Sequence, residues 1–61
     1  MEIHPGTVFV LNVSKIKMLC EAIQTDAAGA KTAVLVDCAT AKKYTYCLEA
    51  LKRCDITILK A

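Results

Sequence analysis

The chain has 61 residues, of which 56% are hydrophobic, and its formal net charge is +2. A chain this short forms one domain, here predicted over residues 1–61, and such domains often need disulfides, a metal or oligomerisation as support. The hydrophobic fraction excludes a disordered chain, and no apolar run approaches the roughly 18–20 residues of a membrane span. The N-terminus also lacks the basic and apolar regions of a signal peptide. We therefore expect a complete small cytoplasmic protein without a membrane partner.

The hydrophobic fraction exceeds the usual share of about 45–50% in globular domains, so apolar surface should remain after the core is filled. Homo-oligomerisation is the simplest way to bury that surface. Charge is also distributed unevenly along the chain. Residues 1–30 carry two lysines and three acidic residues, whereas residues 31–61 carry six basic and three acidic residues. This asymmetry indicates an anionic partner for the second half, although a solvated surface produces the same pattern.

The first predicted element is a strand over residues 7–13. Pro5-Gly6 is a turn dipeptide, and the following Thr-Val-Phe-Val-Leu-Asn-Val is rich in β-branched and aromatic residues. Alternation places Phe9 and Leu11 on one face and Val8 on the other, so both faces are apolar. A strand of this kind lies at the centre of a covered sheet or in a subunit interface.

Residues 14–30 fit two interpretations. As a helix, the segment is capped by Ser14, follows an i, i+3, i+4, i+7 pattern from Ile16 and stops at Gly29. As a strand, Ile16 and alternate residues share one face, and residues 24–30 form a loop whose Asp and Gly suit a turn.

Residues 31–54 are also ambiguous after a strand at residues 32–38. One interpretation continues with a long amphipathic helix from Thr40. The other is a hairpin that turns near Lys42 and Lys43, pairs Tyr-Thr-Tyr with the preceding strand and enters a short helical segment at Cys47. Residues 55–60 alternate as a final strand in either case.

Two folds therefore compete. The first is mainly β: a small five-stranded antiparallel barrel with one short helical turn before the last strand. The second is an α/β fold, a βαβαβ unit with a parallel sheet. Because a three-stranded parallel sheet needs cover on both faces and the barrel closes its own edges, we predict the barrel.

The order of these elements resembles a family of small uncharacterised bacterial proteins with an SH3-like barrel. That family opens with a Pro-Gly-x-Val-x-x-Leu strand, continues with a Lys-Met strand and ends in a short Ala-Leu turn. The matching residues here are Pro5, Gly6, Val8, Leu11, Lys17, Met18, Ala50 and Leu51. The resemblance implies the SH3-like barrel and brings no established reaction.

The four cysteines form no C-x-x-C pair, and His4 is distant from Cys20, Cys38, Cys47 and Cys54. This spacing argues against a zinc site. Without a secretion signal we expect reduced thiols, each acting as a small buried apolar residue. In the hairpin interpretation, Cys38 and Cys47 face each other across two strands. We predict no metal and no cofactor.

Catalysis is not predicted. The acidic residues are scattered, and nothing in the sequence marks a histidine or an acid as the activating partner of a cysteine. Gly6 and Gly29 are the only glycines, so there is no glycine-rich phosphate-binding loop. We therefore assign no catalytic residues and no enzyme activity.

A binding role fits better, because lysines and tyrosines meet at the predicted hairpin turn. Lysines pair with phosphates, and tyrosine rings stack on bases. We predict a small oligomeric, non-catalytic module that binds a nucleotide or short nucleic acid. The predicted ligand-binding residues are Lys17, Lys42, Lys43, Tyr44, Tyr46 and Arg53.

An alternative is a protein–protein interaction or inhibitor module that acts through an apolar surface. It rests on the excess of apolar residues, and in it Tyr44 and Tyr46 pack into the core or an interface. A thiol-based redox switch is a third, remoter hypothesis.

Overall fold

A computed structural model describes residues 3–61 as five strands and one short helix. The predicted domain of residues 1–61 also includes Met1 and Glu2, which lie outside the described residues. The elements are β1 (Val8–Leu11), β2 (Ile16–Thr25), β3 (Lys31–Asp37), β4 (Lys43–Cys47), α1 (Leu48–Lys52) and β5 (Ile56–Lys60).

All five strands form one antiparallel sheet in the order β4-β3-β2-β1-β5. The mainly β prediction, with five antiparallel strands and a helical turn before the last strand, is confirmed. The parallel βαβαβ alternative is wrong, because every strand pair is antiparallel. The barrel is not closed: among residues 3–61, no hydrogen-bonded ladder joins β4 to β5. The sheet therefore ends in two edge strands.

The inner face of the sheet carries the core. Alternation along β1 and β3 brings Phe9, Ala33 and Leu35 to this face, and none of the three is exposed to solvent. Burying a Phe or Leu side chain contributes about 1.5–3 kcal/mol. The buried core residues are Ile3, Phe9, Met18, Cys20, Ala33, Leu35 and Leu51.

Helix α1 contributes Leu51 to this core, and the rest of the helix is half-buried or exposed. It begins directly after Cys47, whose backbone is extended, as predicted from the change from β-forming to helix-forming residues at that position. Glu49 in the first turn and Lys52 in the last turn both complement the helix dipole.

A β-bulge interrupts β2 between Cys20 and Ala22. The extra residue, Glu21, is exposed and changes the alternation of the strand. Before the bulge Cys20 lies on the inner face opposite Leu35, and after it Ile23 lies on that face opposite Ala33. The bulge thus keeps apolar residues of β2 facing the core as far as Ile23.

Two aspartates fix the turns on either side of β3. Asp26 Oδ1 accepts hydrogen bonds from the amides of Ala28 and Ala30, both at 2.9 Å. Asp37 Oδ1 accepts from the Ala39 amide at 2.8 Å. These are the Asx-type contacts expected in turns. At Gly29 the backbone has φ +86°, which glycine adopts without steric cost.

β1 ends earlier than the predicted boundary at residue 13. The amide of Lys15 donates to the Leu11 carbonyl at 2.7 Å, and Lys15 has φ +57°. This turn removes Val13 from the strand and leaves it 91% exposed. Local turn formation therefore overrides the β propensity of Val13.

Candidate interaction surface

The side of the sheet opposite the core is apolar across its three central strands. The ladder places Val8 opposite Leu19 and Leu19 opposite Val36, which forms one row across β1, β2 and β3. Val10 and Val34 lie on the same side, each next to a core residue in its strand. All five are only half-buried. We call the surface formed by Val8, Val10, Leu19, Val34 and Val36 the outer face.

Three exposed lysines surround the outer face. Lys17 lies opposite Val10, Lys43 opposite Val36 and Lys60 opposite Val8. The bulged Glu21 accepts a hydrogen bond from Lys43 Nζ at 3.2 Å, and both side chains remain exposed. Asp55 lies on the same side, where its Oδ1 accepts from Asn12 Nδ2 at 3.1 Å, so the rim carries three lysines against two acidic residues and is weakly positive.

The predicted basic and aromatic turn is divided between the two faces of β4. Tyr44 and Tyr46 lie opposite Leu35 and Ala33, on the inner face. Tyr46 packs against the core, whereas Tyr44 is 40% exposed. Lys43 faces the other way, because neighbouring residues in a strand point to opposite sides. The structure therefore does not bring the tyrosines and Lys43 onto one surface.

The other predicted ligand-binding residues are also dispersed. Lys42 lies in the β3–β4 turn, where its carbonyl accepts from the Asp37 amide at 2.9 Å. Arg53 follows helix α1 and is exposed. Lys17 belongs to the rim of the outer face. Of the four predicted basic residues, only Lys17 and Lys43 lie on one surface.

A groove of about 490 Å³ opens between the start of β3 and helix α1. A depression of about 340 Å³ adjoins it, since Lys31, Leu48 and Lys52 line both. Ile3 and Ile23 add apolar surface at one end. None of the six predicted ligand-binding residues lines this groove, which lies at the opposite end of β3 from the predicted turn.

The cysteines differ from the prediction in two respects. Only Cys20 is buried, whereas Cys38, Cys47 and Cys54 are exposed free thiols, so the expectation of four buried thiols is wrong. Cys47 pairs with Thr32, and Cys38 follows the opposite end of β3, so the two do not face each other. Burial raises the pKa of the Cys20 thiol, and its contact with the Ala22 carbonyl partly offsets this shift.

Metal-ligating side chains do not gather in the described part of the chain. Within residues 3–61, no group of three or more His, Cys, Asp or Glu side chains is placed to hold a metal ion. No helix in the same range has the length and apolar content needed to cross a membrane.

Sequence reasoning detected only part of the outer face. It recognised that β1 has two apolar faces, which is the signal carried by Val8 and Val10. It missed the contribution of Leu19 and Lys60, because their positions depend on strand register. The consecutive apolar residues Val34, Leu35 and Val36 were a further signal that β3 is apolar on both faces.

Comparison with known proteins adds no relative. No protein-family model matches the chain, and neither the curated proteins nor the solved structures gave a match. The resemblance to small bacterial SH3-like barrel proteins therefore stays a prediction.

Proposed function

We propose that this chain is a small, non-catalytic protein-binding module that uses its outer face to dock onto an acidic protein surface. One observation carries the proposal: five aliphatic side chains lie together on the solvent side of the three central strands. An antiparallel sheet with one face on the core normally presents polar residues on the other. Exposed apolar patches rimmed by polar residues mark interaction sites.

The arrangement of the outer face has the anatomy of a protein interface, an apolar centre with a charged rim. The rim carries Lys17, Lys43 and Lys60 against Glu21 and Asp55, and this excess of positive charge favours a partner with acidic residues around its own apolar patch. Two copies of this chain placed face to face would instead bring six lysines together against four carboxylates. The outer face therefore suits a different protein better than a second copy.

Nucleotide binding is less well supported by the geometry. The outer face has lysines but no aromatic ring for a base to stack on, and the two tyrosines lie on the other side of β4. Stacking on aromatic side chains supplies about 1–3 kcal/mol per base in single-strand binding. Without it, lysine–phosphate pairing alone gives weak, salt-sensitive contacts.

The partner can be identified by site-specific photo-crosslinking. A photoreactive amino acid replaces Val36 on the β3 side of the outer face, and a control chain carries the same amino acid at Thr40 in the β3–β4 turn. We expect the Val36 position to capture one protein through an acidic surface, and the Thr40 position not to capture it. The captured protein is then purified and its binding to this chain measured by calorimetry.

The decisive variant in that measurement is Leu19→Lys, with Val13→Lys as its matched control. Leu19 lies on the outer face, whereas Val13 is 91% exposed in the β1–β2 turn. Burying a leucine contributes about 1.5–3 kcal/mol, so Leu19→Lys should weaken binding at least about tenfold. Val13→Lys should leave it unchanged. Equal binding by both variants, or heat from a nucleotide or short RNA instead of a protein, would contradict the proposal.

A further inference from the structure

Strand β5 has one edge paired with β1 and another that meets no strand among residues 3–61. Such an edge presents unpaired amides and carbonyls and is a template for pairing with another chain. β5 contains no proline, and its Leu59 is 53% exposed beside this edge. We propose that β5 pairs antiparallel with β5 of a second copy to form a two-fold symmetric dimer.

The backbone groups of the free edge can be assigned from the ladder. The Asn12 amide donates to the Asp55 carbonyl at 3.0 Å, so Asp55 directs its carbonyl towards β1. In an antiparallel strand this direction alternates from residue to residue. Thr57 therefore also points its backbone groups towards β1, and Ile56 and Ile58 point theirs towards the free edge. Two copies can exchange hydrogen bonds between Ile56 of one and Ile58 of the other, twice by symmetry.

The side chains fit this register with the two-fold axis at Thr57. Thr57 of one copy faces Thr57 of the other, and Ile56 faces Ile58 of the second copy on the inner side. β5 carries a bulge at Leu59, so Lys60 shares the outer side with Thr57. The same bulge brings Lys60 opposite Asp55 of the second copy. Threonine, apolar and opposite-charge pairs are each favourable across antiparallel strands.

The charge arrangement explains why Lys60 does not protect this edge. An edge lysine normally discourages strand pairing. Here each Lys60 meets a carboxylate, and the dimer contains two such pairs. Pairing through β5 is isologous and closed, so it ends at the dimer. It also joins the outer faces of the two copies along one continuous sheet.

Concentration-dependent hydrogen exchange tests the pairing without any substitution. In sedimentation equilibrium at millimolar concentration we expect twice the chain mass of 6.6 kDa. The amides of Ile56 and Ile58 should exchange at least about tenfold more slowly there than in dilute solution, because the dimer protects them. The amide of Thr57, already directed at β1, should show the same protection at both concentrations. The proposal would be overturned by a monomer at millimolar concentration, or by exchange rates of the Ile56 and Ile58 amides that do not change with concentration.

Charge reversal tests the register. Lys60→Asp should weaken the dimer about tenfold, since it converts two attractive pairs into repulsive ones. Asp55→Lys combined with Lys60→Asp should restore dimerisation, and Lys42→Asp in the β3–β4 turn should not affect it. Because Asp55 Oδ1 also accepts from Asn12 Nδ2 at 3.1 Å, each variant is first checked for a folded monomer. A folded Lys60→Asp protein that dimerises as tightly as the unsubstituted chain uses another surface and refutes this register.

Discussion

The two faces of the sheet are made of similar residues but differ in what covers them. Along β1, Phe9 is fully buried on the inner face, whereas Val10 beside it is half-buried on the outer face. On the inner face, Ile3 and Leu51 of helix α1 belong to the buried core together with the strand residues. On the outer face, the described part of the chain provides no cover. Whether an apolar residue of these strands is buried or remains partly exposed thus depends on its position in the alternation.

The largest expected difference between the faces is in stability. Phe9→Ala should lower the free energy of unfolding by about 3–5 kcal/mol, because it leaves a cavity in the core. That is a large part of the roughly 3–9 kcal/mol expected for a chain of this length. Val10→Ala on the outer face should cost about 1 kcal/mol or less, since its side chain is only half-buried. Urea unfolding of both variants measures the contrast, and similar losses would show that the faces are not distinct.

A smaller difference should appear at alkaline pH through the cysteine of the inner face. Burial raises the pKa of the Cys20 thiol, so the folded state favours the protonated form. The contribution of this raised pKa to the free energy of unfolding is fully present below the thiol pKa of the unfolded state, about 8.5. It is lost as pH rises through the raised pKa of the folded state. Urea unfolding across this range should show the loss. Cys20→Ala should abolish the part of this stability loss that comes from Cys20. Cys54→Ala, a control at an exposed site, should retain it. Equal alkaline losses of stability in the two variants would contradict this assignment.

The smallest effect should come from the ion pair at the edge of the outer face. Glu21→Gln removes the partner of Lys43, but both side chains are exposed and the pair is screened by solvent. We expect the free energy of unfolding to change by less than about 0.5 kcal/mol. Lys43→Gln is the reciprocal control. A loss well above 1 kcal/mol would indicate that this pair fixes the β2 bulge, because exposed pairs contribute about 0–1 kcal/mol.

Much of the fold could be predicted because its strands alternate clearly. β-branched and aromatic residues mark β1 and β3, and the change to helix-forming residues after Cys47 marks α1. The end of β1 could not be predicted, since it depends on the turn in which Lys15 adopts positive φ. The absence of barrel closure could not be predicted either, because closure depends on whether β4 and β5 meet. No local sequence pattern encodes that contact.

The candidate site was predicted less well, for a related reason. Lys43 and Tyr44 are adjacent in sequence, and adjacency in a strand places side chains on opposite faces. Lys17, Lys43 and Lys60 are far apart in sequence and share a surface only through the ladder register. The exposed thiols of Cys38 and Cys54 lie outside the strands, where alternation gives no information about burial.

The pairing of β1 with β5 has a consequence for how the chain folds. The other three ladders join successive strands through short turns, so their loop-closure entropy is small. The β1–β5 ladder instead joins the first strand to the last, and the Asn12–Asp55 contacts at its end span 43 positions. Contacts of this separation form late and slow the folding of small β proteins. We therefore expect the hairpins to appear early and the cooperative, rate-limiting event to be the arrival of the C-terminal strand.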